Sequence, residues 1–242
     1  MNLDLFIPGV AKPEADYLEL ERLGAKLGIP VPMMYITVQA TNPDGSPGEH
    51  YEGRSRTFNR NFWNATLLNS SNYVSAATFG SGFLGLKDTG GTVRGIGYIA
   101  ISSPLNSVTT GLFLCANISI DTAGIVVGTG STAESFENNT LVTKIAHGNG
   151  SGQLSYTAST ATGAAYTAGS KLWTMTLARI FNNNSGGTIV VAETGIYAVF
   201  TYGLNASSAA FMIERSLLGA TVSVLNAGQL TVTYTITLTF PA

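Results

Sequence analysis

Two histidines, His50 and His147, are the only imidazoles in the chain, so any histidine-assisted nucleophilic reaction would have to use one of them. His50 lies in a polar stretch, His147 directly precedes the glycine-rich Gly148-Asn149-Gly150-Ser151-Gly152, and no Gly-x-Ser-x-Gly elbow occurs. Glu134 and Glu137 could serve as paired carboxylates for glycoside hydrolysis, but that chemistry needs two carboxyls across one cleft, and closeness in sequence does not supply it. Loop acids are the simpler reading. The single Cys115 excludes an intrachain disulfide and a multi-cysteine zinc site, and reads as a buried thiol in an apolar run. Neither Gly148–Gly152 nor Gly128-Thr129-Gly130-Ser131-Thr132 is followed by the lysine and helix of a phosphate loop, so both read as turns. These residues predict no catalytic, metal or cofactor site.

The most distinctive stretch is Arg54-Ser55-Arg56-Thr57-Phe58-Asn59-Arg60-Asn61-Phe62-Trp63-Asn64. Arginines interleaved with rings could form a nucleic-acid strip, with guanidinium on phosphate and ring on base. The other reading sends the rings into the core while Arg54, Arg56 and Arg60 pair with acids of the same or a neighbouring subunit. A formal net charge of -2 provides no wider basic face, which favours the second reading and argues against nucleic acid as a partner. Only 11% of residues are charged, against roughly 25% in an ordinary domain, so the surface is rich in neutral hydroxyls and amides. Such a surface is desolvated against a neighbour at less cost than a Lys/Glu surface.

The elements that must position these residues divide near residue 60: the first 60 residues hold 14 of the 26 charged side chains. Pro13 suits a first helical turn, and Glu14 and Asp16 suit its positive end. Tyr17, Leu20, Leu23 and Leu27 recur at helical spacing before Gly28, Pro30 and Pro32 end the run, which predicts one amphipathic helix over about 13–27. Its apolar stripe needs a cover, either the chain's own β domain or another subunit, so these four residues join the three arginines as interface candidates. Met34–Ala40 reads as a strand and Asn42-Pro43-Asp44-Gly45 as a turn into a hairpin over 49–57. Further strands are expected near 94–101, 109–120, 124–128, 141–145, 171–181, 188–192, 195–202, 209–214 and 221–225, with 148–152 and 158–170 as surface loops. The last strand is the clearest, because five threonines alternate with Val232, Tyr234, Ile236, Leu238 and Phe240. Without βα alternation the chain is expected to be all-β: an arm with the helix and the start of a hairpin over 1–50, and a β-sandwich of jelly-roll type over 51–242. The first residues lack a basic start with a long apolar run, and no 18-residue apolar span occurs, so neither an export signal nor a membrane helix is expected.

Arg60-Asn61-Phe62-Trp63-Asn64, Lys87-Asp88-Thr89-Gly90-Gly91, Ile125–Ala133, Ile145–Tyr156 and Glu193-Thr194-Gly195-Ile196-Tyr197 together resemble structural proteins of tailed-bacteriophage virions. The ending, from Arg215-Ser216-Leu217-Leu218 through Ala227-Gly228 into the threonine-alternating strand, is similar to the close of many such proteins. The resemblance spans most of 54–240, leaves 1–50 unmatched and brings no catalytic residues with it. It implies a non-enzymatic capsid decoration, collar or tail component, made in the host cytoplasm and built into the virion beside copies of itself and other virion proteins. Two rivals differ in kind. One is a lectin-like fibre module whose loops at 128–140 and 146–170, with Tyr156, Tyr166 and Trp173, hold a host glycan. The other is a polysaccharide depolymerase using Glu134 or Glu137.

Overall fold

A computed structural model describes residues 12–55, 58–71, 85–95, 114–202 and 207–240. Arg56, most of the strand expected at 94–101, part of that expected at 109–120, and the first eleven residues of the expected arm lie outside these. The described chain is mostly β, with two helices and several antiparallel sheets.

Helix α1 (Lys12–Leu27) leads into β1 (Val31–Thr41) and β2 (Pro47–Arg54), which form the expected hairpin. The turn between them closes through Gly45 N donating to Asn42 O at 2.9 Å, and the Asp44 carboxylate accepts from Ser46 N at 2.9 Å. Gly45 sits at φ 84°, a region that costs an L side chain strain. The alternating C-terminal strand, β11 (Gln229–Thr239), lies between β1 and β8 (Leu172–Asn182), and each pairing runs the length of β11 without a slip. Its period of two sends Leu230, Val232 and Tyr234 into the core and the threonines outward, where a one-residue shift would bury hydroxyls instead. β6 (Ser155–Tyr156) and β7 (Thr160–Thr167) follow one another along the other side of β8 and complete this six-stranded sheet.

A second sheet has the order β10 (Ser207–Val224), β9 (Ile189–Tyr202), β5 (Gly124–Gly128). Both sheets contribute to one core cluster, in which Ile36, Val38, Leu177 and Val232 of the first meet Ile125, Ile196, Phe211 and Val222 of the second. Tyr234 of β11 bridges them, its Oη donating to Glu214 Oε2 of β10 at 2.7 Å and lying 3.1 Å from Thr194 Oγ1 of β9. β3 (Gly85–Lys87) and β4 (Val93–Gly95) form a separate short hairpin, which buries Leu86 in the same core.

Four expectations are corrected. The segments expected as separate strands at 188–192 and 195–202 are one strand, β9, and those at 209–214 and 221–225 are one strand, β10, because the polar residues between them are buried and paired. Residues 114–120 form no strand, and 141–145 carry only an isolated bridge from Lys144 to Gly128. The segment read as a surface loop over 158–170 contains β7.

The fourth correction is a second helix, α2 (Arg60–Ser71), within the arginine-aromatic stretch. Asn59 caps it by accepting from Phe62 N at 3.3 Å, and Phe58 packs edge-on to Trp63, as an apolar residue before a cap packs on the fourth helical residue. Three asparagines fasten the helix to the sheets. Asn59 Nδ2 donates to Met212 O and Asn138 O at 2.6 and 3.0 Å, Asn61 to Lys87 O and Met212 O at 2.8 and 2.9 Å, and Asn64 to Gly85 O at 2.8 Å. Asn59→Ala removes the cap and two buried bonds together, so it is expected to lower unfolding stability by about 2–3 kcal/mol in urea titration, with Asn59→Asp recovering only the part due to the cap.

Candidate functional site

Four exposed apolar side chains, Leu20, Ile29, Trp63 and Phe136, gather around one groove. Tyr17 and Leu20 of α1, Ile29 and Pro30 after it, Met33 of β1, Phe58, Trp63 of α2 and Phe136 line a space of about 460 Å³. Leu20 is 46% exposed, Ile29 55%, Trp63 41% and Phe136 47%, and their lying together distinguishes this face from scattered surface leucines.

The groove exists because α1 docks by one side only. Tyr17 Oη donates to Ser55 O at 2.8 Å, and Arg54, its side chain 11% exposed, lies over the rings of Tyr17 and Tyr35 at 5.4 and 4.7 Å with Glu21 at 3.5 Å. Ala15 and Gly24 are buried, while Leu18, Leu20 and Leu27 remain exposed. Of the interface candidates, then, Tyr17, Leu20 and Arg54 share the groove, and Leu23 is half-buried. Arg60 faces elsewhere: it pairs with Glu137 at 3.2 Å beside a polar cleft with Asn61, Asn64 and Lys87. Arg54 and Arg60 therefore form no strip, since Arg54 turns inward under the helix. Trp63, expected to enter the core, is exposed at the groove instead, and Ile29 and Phe136 carry no sequence expectation; a lone phenylalanine between acids, as in Glu134-Ser135-Phe136-Glu137, is the signal that marks the last of them.

Residues weighed for catalysis serve structural bonds. Glu134 Oε1 accepts from Leu217 N at 2.8 Å, His147 Nδ1 accepts from Tyr156 N at 3.1 Å, and His50 lies 3.0 Å from Gln39 Oε1. Tyr156, one of the rings considered for sugar stacking, is wholly buried, its hydroxyl donating to Ile145 O at 2.6 Å. Tyr166 is exposed and packs edge-on to Phe240, and Trp173, its cross-strand partner, is half-buried. Cys115 is buried, and burial pushes its thiol up from the ordinary value. Among the described residues no group of three His, Cys, Asp or Glu could hold a metal, and no helix is long and apolar enough to cross a membrane.

Beneath the surface lie buried charges that the sequence did not announce. Glu193 and Arg215 meet at 2.7 Å, both fully buried. Glu193 also accepts from the backbone of Gly130, Val142 and Thr143, and Arg215 donates to Thr132 O, Ala133 O and Asn138 Oδ1. A Cβ on Gly128 or Gly130 would fall 2.6 or 2.4 Å from the Glu193 carboxylate, so the glycines of this cluster make room for a side chain of their own protein. Arg179 is satisfied by five carbonyls, those of Asn117, Ile120, Ala123, Ile125 and Thr157, at 2.6–3.1 Å. Burial lowers its pKa to about 10. Among the described residues Glu214 has no cation partner; its carboxyl accepts from Ser55 Oγ at 2.7 Å, from Ser216 Oγ and from Tyr234 Oη.

No protein-family model, curated protein or solved structure matches this chain.

Burial, only partly offset by the three hydroxyls, raises Glu214 to about 7 from its ordinary 4.5. The folded state therefore binds more protons than the unfolded one between these values, and Glu214 makes folding less favourable as pH rises through that window. Unfolding stability is expected to fall on the order of 3 kcal/mol from this group between pH 4.5 and 7. Glu214→Gln, measured by denaturant titration at several pH values, is expected to flatten that slope and to be the more stable protein at pH 8.

Proposed function

We propose that this protein is a structural component of a bacteriophage particle, a capsid decoration, collar or tail protein that assembles through contacts with copies of itself and with other virion proteins. The observation that carries the reading is the apolar groove between α1, the entry of β1 and α2. Large side chains there stay in water in the isolated chain, and covering them against a convex neighbour would release about 25 cal/mol per Å² of apolar area. The low charge of the sequence lowers the desolvation cost of extensive contact, and the likeness of residues 54–240 to virion proteins supplies the setting. We read the two sheets around their common core as a sandwich of jelly-roll type. It suits the proposed role because rigid faces hold a groove open.

Glycan binding is the second reading, favoured by the exposed Tyr166, whose ring could stack on a sugar. The burial of Tyr156 removes one of the three rings it would use.

Leu20→Asp and Phe136→Asp place charges in the groove at exposed positions. Each is expected to leave the circular dichroism spectrum unchanged and to reduce incorporation of the chain into purified particles at least tenfold, read with an antibody to the chain. Particles that carry both variants at the wild-type level would remove the groove from assembly. Particles that never contain the wild-type chain would remove the function.

A further inference from the structure

Natural sheets guard their free edges with lysine, proline, inward charge or a covering segment, because an uncovered edge pairs with whatever strand it meets. β7 carries none of the first three. It forms the outer rim of the first sheet beside β8, and among the described residues nothing pairs with its other side. Residues 145–170 contain no Asp, Glu, Lys or Arg, and Thr160, Thr162, Ala165, Tyr166 and Thr167 are exposed.

We propose that β7 is a self-pairing edge: two copies of the chain join antiparallel, β7 to β7, about a two-fold axis passing between Gly163 and Ala164, so that the six-stranded sheet of one copy continues into that of the other. A two-fold contact requires a strand that complements itself. In this register Thr160 lies opposite Thr167 of the second copy, Ala161 opposite Tyr166, and Thr162 opposite Ala165. Small side chains meet larger ones, and no like charges meet.

The bulge in β7 makes this register consistent with the faces of the sheet. Thr160 and Thr162 pair with Ala178 and Thr176, and after the shift Ala165 and Thr167 pair with Thr174 and Leu172. All four therefore lie on the outer face, while Ala161 and Tyr166, opposite Leu177 and Trp173, share the inner one. In an unbulged strand, residues seven apart such as Thr160 and Thr167 would point to opposite faces, and the pairing would set outward residues against inward ones. The extra residue, sitting at the axis, removes that conflict. This proposal does not depend on a virion setting, and it uses a surface separate from the groove.

The test is the oligomeric state of the full chain by sedimentation velocity up to near-millimolar concentration. The wild-type chain is expected to dimerise. Thr160→Lys with Thr167→Lys sets two like-charged pairs across the axis and is expected to weaken the dimer at least about a hundredfold. Thr160→Lys with Thr167→Glu makes the same pairs attractive and is expected to stay within about tenfold of wild type. Both pairs of substitutions point to solvent, and matched thermal melts check folding. Should the double-lysine protein fail to fold, hydrogen exchange of the wild-type chain decides instead, with β7 amides expected to gain protection as concentration rises. A wild-type chain that is monomeric throughout, a double-lysine protein that dimerises normally, a Lys/Glu protein as monomeric as the double-lysine one, or β7 protection independent of concentration would each overturn the proposal.

Discussion

A charge taken out of water must be met by an opposite charge or by fixed dipoles. This chain has 26 charged side chains and hides Arg179, Glu193, Glu214 and Arg215 almost completely. Arg179, Glu193 and Arg215 draw in backbone that has little regular pairing of its own. Arg179 gathers the carbonyls between Asn117 and Ile125 and that of Thr157, so an irregular segment takes its shape from one guanidinium fork on β8. Arg215 and Glu193 do the same for residues 130–143, one offering donors and the other acceptors. Among the described residues, no buried side-chain nitrogen or oxygen lacks a partner. The loops are therefore positioned by the sheets, and Phe136, which completes the groove, sits on a loop held in this way.

Glu214 differs, because among the described residues its carboxyl is met by hydroxyls alone. Ser55 follows β2, Ser216 lies on β10 and Tyr234 on β11, so the carboxyl ties the edge of one sheet to the middle of the other. Ser55 also accepts the Tyr17 hydroxyl of α1 on its carbonyl. The charged groups around the site have other partners: Arg215 turns to Glu193, Glu134 to the Leu217 amide, and Arg54 to Glu21 and the rings of Tyr17 and Tyr35. Raising the pH through the neutral range therefore places a negative charge where, among the described residues, hydroxyl dipoles alone answer it.

What could be read from the sequence was whatever depended on local pattern. β11 was legible because alternation over ten residues has one interpretation, and α1 and the first hairpin because helix stops and turn residues act locally. β9 and β10 each read as two strands, since Glu193-Thr194 and Arg215-Ser216 look like surface until their long-range partners are known. β7 was hidden by its composition: Thr-Ala-Thr-Gly-Ala-Ala-Tyr-Thr has the small and glycine residues of a loop, and only the neighbouring β8 makes it a strand. α2 was hidden by its asparagines, poor helix formers whose side chains here are occupied with carbonyls of other elements. The groove was half legible, through Tyr17, Leu20 and Arg54, because its remaining walls come from segments distant in sequence.

The two surfaces proposed for contact differ in what they can build. A strand edge that pairs with its own copy closes on itself, and two chains exhaust it. The groove is concave and apolar, so it cannot receive a second groove; it needs a convex surface from a different part of a neighbour or from another protein. Contacts of that second kind either close into rings or propagate, depending on the rotation between subunits. A chain with one surface of each kind can form a pair by its edge and join pairs by its groove. The edge alone stops at two chains, the groove alone builds whatever ring or filament its rotation dictates, and the two together link those assemblies into a wider array.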